Sequence, residues 1–313
     1  MKPFSLLVKP AGSDCNLVCP YCFYRGKPQG RMTDALLKRM LESFNALPFL
    51  DRAVCFQGGE PLLMGEDFFR KAAEYAEGGI RFSLQTNATL VTESLAEFFA
   101  REDWLIGVSP HWHGYEAAQK GRAGYDRLVA AGCAVNVVRL VTKADVAEPE
   151  KLYHFLRDEL GSFNQQYIEC ADPEPFALDG AEWGEFLRRL FDEWRRCGDE
   201  RRVSVRNFDT IVSRLALGRE DTCQFGDDCR HYLVVDWNGD VYPCDFHVEP
   251  EWRLGNLFEQ SWEELIESPK EIAFGRRKRG SFDCPRVKGR FDAAYRSFFS
   301  YAEPQLADLL ATL

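Results

Sequence analysis

"FSLLVKPAGSDCNLVCPYCFY", residues 4–24, joins a short apolar run to a loop that carries three of the chain's eleven cysteines. The run "FSLLVKP" (4–10) reads as a β-strand. Cys15, Cys19 and Cys22 therefore leave its C-terminal end together, and parallel α/β sheets gather their ligands at that end. An odd number of cysteines argues against a fully paired disulfide framework. The apolar run at the start is too short for a signal-peptide core, and no window approaches the roughly 20 apolar residues that span a bilayer. The expectation is a cytoplasmic protein, where clustered cysteines bind metal or do redox chemistry more often than they pair.

Working outward, 39 basic against 49 acidic residues leave a formal charge of −10. That balance supplies no basic field for nucleic acid or anionic lipid, so neither is expected as a partner. Further strand-like runs follow: "AVCFQ" (53–57), "IRFSLQT" (80–86), "WLIGVS" (104–109), "AVNVVRLVT" (134–142) and "QQYIEC" (165–170). Between them, residues 34–47, 66–76, 93–102, 125–132 and 150–160 repeat apolar side chains at helical spacing, and 182–197 supplies a sixth helix. Six β-α repeats imply an α/β fold, a parallel sheet covered by helices and either open or closed into a partial barrel. From about Thr210 the pattern changes. "HYLVVDWNGDVYPCDFHV" (231–248) reads as a hairpin with Asn238-Gly239 at its turn, followed by a helical stretch (261–269), a basic surface turn "GRRKRG" (275–280) and a final aromatic helix from Asp292.

Three thiolates on one loop can hold three irons of a 4Fe-4S cluster and leave the fourth iron open, whereas a structural zinc asks for four closed ligands. The spacing of three and then two residues, with Tyr21 before the last cysteine, resembles the cluster loop of the radical S-adenosylmethionine enzymes. In that family the open iron chelates S-adenosylmethionine. The resemblance extends to "QGGEP" (57–61), where Gln57, Gly58, Gly59 and Glu60 match the segment that meets the cofactor's methionine group. It extends also to "QTNA" (85–88), with Thr86 and Asn87, and to Ser109, at family positions that touch the cofactor. Arg139, a cation in an otherwise apolar strand, needs an anionic partner, either the cofactor carboxylate or an acid of the chain.

A second group, Cys223, Cys229 and Cys244, is separated by five and fourteen residues, and Cys284 follows after thirty-nine more. Spacing alone leaves zinc and iron-sulfur open, and the first cluster favours iron-sulfur. Residues 222–257, with "YPCDF" and "RLGN", are similar to the anaerobic sulfatase-maturating enzymes and their SPASM-domain relatives. This resemblance implies a partial (β/α)6 TIM-like barrel over residues 1–218 and a small C-terminal hairpin and helical iron-sulfur domain over 219–313. It also implies that Asp245, following the "YPC" cysteine, is the base that takes a proton from a substrate Cys or Ser.

Two departures qualify the resemblance. The dense C-terminal run of cysteines that holds the family's second auxiliary cluster is missing, so one auxiliary cluster, of 4Fe-4S type, is expected rather than two. The segment after the fourth strand reads "SPHWHGYEAAQKGR" (109–122), and its His111 and His113 are expected as exposed loop residues, with substrate contact as the alternative. Cys55, Cys133, Cys170 and Cys197 are expected as small buried hydrophobes. The resemblance implies oxidation of a peptide or protein side chain to formylglycine, with an electron donor such as flavodoxin or ferredoxin. The rivals are a maturase that forms a thioether, crosslink or epimer, a small-molecule dehydrogenase with one auxiliary cluster, and a non-catalytic metal-binding protein.

Overall fold

Seven strands of one compact unit line up in the order β10-β9-β8-β1-β2-β3-β4. They are β1 (Phe4–Lys9), β2 (Arg52–Phe56), β3 (Arg81–Thr86), β4 (Leu105–Val108), β8 (Tyr232–Asp236), β9 (Asp240–Tyr242) and β10 (Gly255–Asn256). The computed structural model describes residues 4–49, 51–111, 115–218, 223, 228–277 and 291–311. This unit comprises Met1–Val135 and Cys229–Arg277, so the hairpin beyond residue 219 folds with β1. Strands β1 to β4 run parallel, and helices α1 (Asp34–Asn45), α2 (Glu66–Ala76) and α3 (Glu93–Arg101) alternate with them. Helix α4 (Tyr115–Ala130) starts earlier than the expected 125–132.

Register divides the sheet into two faces. Leu7, Cys55, Ser83 and Leu105 lie opposite one another in successive strands, and Leu6, Val54, Phe82 and Leu84 belong to the other face. The middle of the second face is apolar and packs under aromatic side chains. Trp104, 1% exposed, stacks on Phe82 at 4.5 Å between ring centres and meets Phe69 and Phe99 edgewise or tilted. This division explains why the strands read as mixed rather than continuous apolar runs: one side is core, and the other faces the chemistry.

The second unit comprises Asn136–Asp228 and Lys278–Leu313. It holds nearly all of β5 (Ala134–Val141), together with β6 (Asn164–Glu169) and β7 (Ser204–Val205) in parallel pairing. Helix α5 (Pro149–His154) runs on into a π-helical turn, Phe155–Glu159, and α6 (Gly180–Arg196) begins at a capping box formed by Asp179 and Glu182. Helix α7 (Arg206–Leu217), unforeseen in the sequence, and α10 (Asp292–Ala311) pack with α6 around Trp183, Phe191, Phe208 and Phe298. In the first unit, α8 (Trp262–Ile266) and α9 (Pro269–Gly275) divide the helical stretch read as 261–269. Arg277 of the basic turn lies over the Trp252 ring, and residues 278–280 of that turn are outside the described residues.

Candidate active site

The cysteine loop is held by its backbone. Gly59 N donates to Gly12 O and Glu60 N to Asp14 O, both at 2.8 Å. A Cβ on Gly59 would sit 1.9 Å from Asp14 O, and Gly58 has φ +117°. The two glycines expected to let a ligand approach thus first let the cysteine loop approach. Cys15 lies beside Cys19 and Cys22 electrostatically, and its Sγ accepts from Leu17 N at 3.4 Å and Asn87 Nδ2 at 3.8 Å. Burial first, then neighbouring negative charge, pushes the Cys15 thiol up to about 11, and burial also raises Cys19. N–H donors aimed at the sulfur of a clustered thiol suit a group that binds as thiolate, so this loop fits an iron-sulfur cluster.

Around the loop, Gln85 Nε2 donates to Ser109 Oγ at 2.7 Å, and the Tyr21 ring meets the edge of His111 at 5.3 Å. His111 is buried, a correction to its reading as an exposed loop residue, because the Tyr21 ring covers it. His113 lies outside the described residues. Glu60, 1% exposed, accepts from Leu62 N at 3.0 Å, Thr86 Oγ1 at 2.7 Å and Asn87 N at 2.9 Å. The side chains of Glu60 and Thr86 are therefore committed to the turn that joins two strand ends. Burial drives the Glu60 carboxyl up to about 7 against the pull of those donors.

The hairpin brings the second group of residues to β1. Parallel pairing sets Lys9 opposite Asp236, and β8 and β9 form the expected hairpin with Gly239 at φ +89°. Cys244 Sγ lies 3.4 Å from Tyr232 Oη, and Asp245 N donates to the same hydroxyl at 3.5 Å. The Asp245 carboxylate forms an ion pair with Lys9, Oδ1 to Nζ at 2.5 Å. That ammonium lies 3.9 Å from the centre of the Tyr24 ring. Burial raises the Tyr24 phenol, reinforced by Asp236 and Asp245, and burial likewise raises Asp236. Cys55, on the face of Leu7, is raised by burial and then by the charge of Asp245, with Ser83 opposing. Sequence reading missed Lys9 and Tyr24; the available signal was a lysine closing an apolar strand just before the cysteine loop.

In the second unit, Arg139 Nη2 binds Asp145 Oδ1 at 2.7 Å, so its required anion is available within the chain. Cys170 is buried, as the core reading has it, and donates to Asp172 O at 3.3 Å. Cys55, Cys133 and Cys197 are only partly buried, a correction to their reading as core residues. Cys133 donates to Ala96 O, and Cys197 to Glu193 Oε1. The sulfur of Cys197 shares a 4.8 Å cluster with His154 and Glu193, but Arg157 and Arg196 bind the same atoms and oppose a cation there. Cys223 is exposed and Cys229 partly buried; Cys284 lies outside the described residues.

Comparison with known proteins meets this geometry at both cysteine groups. Residues 10–129 match the Radical SAM superfamily, and residues 223–286 match SPASM, an iron-sulfur cluster-binding domain. The cysteine-type anaerobic sulfatase-maturating enzyme of Clostridium perfringens (strain 13 / Type A) is 31% identical, with 99% of each chain covered. This chain belongs to the anaerobic sulfatase-maturating enzymes. The serine-type enzyme of Bacteroides thetaiotaomicron is 29% identical, covering 88% of this chain and 78% of its own. The solved structure of native anSMEcpe with bound AdoMet and Cp18Cys peptide superposes with a TM-score of 0.88 at 30% identity, covering 99% of this chain and all of the other. The fold is therefore the mixed α/β fold of a sulfatase-maturating enzyme, a partial barrel with a SPASM domain. The family's cofactors are S-adenosylmethionine, a 4Fe-4S cluster and auxiliary iron-sulfur, as the cysteine pattern implied. The alignment to the C. perfringens enzyme runs over 366 positions against 313 residues here, so that relative carries segments this chain lacks. Among the described residues, no helix is long and apolar enough to cross a membrane.

Proposed function

We propose that this enzyme oxidises a Cys or Ser side chain of a peptide or protein to formylglycine. The observation that carries the reading is the placement of one strand, β1, which leads into the cysteine loop and whose last residue, Lys9, grips the Asp245 carboxylate next to Cys244. Cys15, Cys19 and Cys22 would hold a 4Fe-4S cluster, whose chemistry would act on S-adenosylmethionine. When bound, that cluster and cofactor would supply radical chemistry for hydrogen abstraction at the substrate carbon. Tyr21, Gln57, the backbone of Gly58 and Gly59, Asn87 and Ser109 orient the cofactor, with Glu60 and Thr86 fixing the turn beneath it. Arg139 is assigned to the cofactor carboxylate or to Asp145. Asp245 receives the proton of the substrate thiol or hydroxyl.

Cys223, Cys229, Cys244 and Cys284 are assigned to one auxiliary 4Fe-4S cluster, and the functional division to residues 1–218 and 219–313. The donor of electrons is a small reductant such as flavodoxin or ferredoxin, and the compartment is the cytoplasm. A second reading, a maturase forming a thioether, crosslink or epimer, draws on the segments missing relative to the C. perfringens enzyme. The deciding experiment is anaerobic reconstitution with iron and sulfide, followed by dithionite, S-adenosylmethionine and peptides carrying Cys or Ser. Expected are about eight irons per chain, 5′-deoxyadenosine, and an aldehyde trapped on the peptide. Cys22→Ala should lose roughly half the iron and all cofactor cleavage. Cleavage without any aldehyde would exclude formylglycine.

A further inference from the structure

Lys9 is, among the described residues, the one lysine or arginine in the fully buried class, at 1% exposure. Burying an ammonium is costly, and a buried ion pair is weak evidence for stability, so an apolar residue at the end of β1 would serve the sheet as well. The surroundings of Lys9 indicate a different use. Its Nζ binds Asp245 Oδ1 at 2.5 Å and sits over the Tyr24 ring, while Asp236 faces it from the paired strand. Asp245 Oδ1 is fully buried and accepts no hydrogen bond of good geometry, so the Lys9 ammonium meets it as a close charge contact, yet the Asp245 side chain as a whole is 17% exposed. What exposure the side chain has therefore lies away from Oδ1 and the Lys9 contact. The backbone of Asp245 is tied separately, through its N–H to the Tyr232 hydroxyl.

We propose that Lys9 is a positioning residue for Asp245: it holds Oδ1 and so presents Oδ2 to the substrate. The proposal rests on the formylglycine reading and deepens it. In the proton step, the substrate S–H or O–H bond breaks, its proton passes to Oδ2, and the electron pair stays on sulfur or oxygen. Asp245 becomes a neutral acid with Oδ1 still against the Lys9 ammonium. A carboxylate free to turn would offer either oxygen, at varied distances. One fixed through Oδ1 offers a single oxygen in a single direction, the geometry that proton transfer requires. The residue that fixes it ends the strand that also launches the cysteine loop, so the anchor of the proton acceptor and the cysteine loop share one rigid element.

The test compares reconstituted wild type, Lys9→Met, Asp245→Asn and the double variant on Cys and Ser peptides. Two products are counted, 5′-deoxyadenosine and oxidised peptide, together with iron content and peptide KM. In Lys9→Met the ratio of oxidised peptide to 5′-deoxyadenosine should fall about 100-fold, the scale of a misplaced general base. Peptide KM and iron content should stay near wild type. In the Asp245→Asn background, Lys9→Met should cause no further fall, because the two residues act as one unit. A Lys9→Met enzyme whose two products fall together at an unchanged ratio would make Lys9 merely structural and overturn the proposal, as would additive losses in the double variant. Where Lys9→Met takes up no iron, Lys9→Gln carries the same ratio test, its neutral and shorter stem being unable to replace the ammonium; a wild-type ratio there also overturns it. Wild-type enzyme that oxidises neither peptide overturns the formylglycine reading and this role with it. Oxidation by wild type with an unchanged ratio in Lys9→Met overturns the role of Lys9 alone.

Discussion

Glu169, the last residue of β6, carries a carboxyl that burial pushes up to about 7, against an ordinary value of 4.5, while the Tyr295 hydroxyl donates to it at 2.7 Å. Below pH 4.5 the folded and unfolded chains both hold this proton, and its contribution to stability is complete. Between 4.5 and about 7 the unfolded chain releases the proton while the folded chain retains it, so stability declines as pH rises. The loss is bounded at about 3 kcal/mol. Glu169→Gln keeps an oxygen for Tyr295 and removes the titration. Urea unfolding across this range should therefore show a flatter pH dependence in the variant and higher stability than wild type at pH 8. Equal slopes would show that Glu169 ionises freely in the folded chain. Glu60, also driven up to about 7, differs in having three donors, one from its own turn and two from the end of β3, so its carboxyl is tied to the architecture of the site rather than to a single phenol.

Among the elements, β3 and β4 with α3 depend on one aromatic stack. Trp104 lies against Phe82, Phe98 and Phe99, and the apolar face of the sheet ends on its ring. Trp104→Ala should cost about 3–5 kcal/mol, read as a lower denaturation midpoint. A cost below about 1 kcal/mol would mean that the neighbouring rings close the cavity. The helices were readable because their apolar spacing is local and their starts carry side-chain caps: Thr33 for α1, Thr92 for α3 and the Asp179/Glu182 box for α6. Strands β7 and β10, of two residues each, were invisible because so short a run has no period.

For the molecule as a whole, iron organises chemistry more than folding. The loop from Pro10 to Met32 is closed by backbone bonds at Met32 N to Pro10 O and Ser13 N to Pro28 O, besides those to Gly59 and Glu60. Among the described residues, the buried apolar side chains include none of the cysteines assigned to the clusters. Chelated, cluster-free protein should keep its helical circular dichroism and a cooperative thermal transition, with a midpoint lowered by the lost binding energy. Collapse of the helical signal on chelation would show instead that the clusters are folding nuclei of the zinc-finger kind.

The sequence by itself determined the six β-α repeats, the hairpin with its Asn238-Gly239 turn, and the cluster loop at a strand end, because strand period, turn chemistry and cysteine spacing are written within a few residues of one another. Only tertiary structure decided what lies beside them. Strand β8 pairs with β1 rather than standing in a separate appendix, Gly59 is required by the approach of Asp14, and Arg139 finds Asp145. Lys9 meets Asp245 from the far side of some three quarters of the chain. No local pattern specifies such a partner, since a buried charge is matched by whatever register and packing bring to it, and register is a property of paired strands.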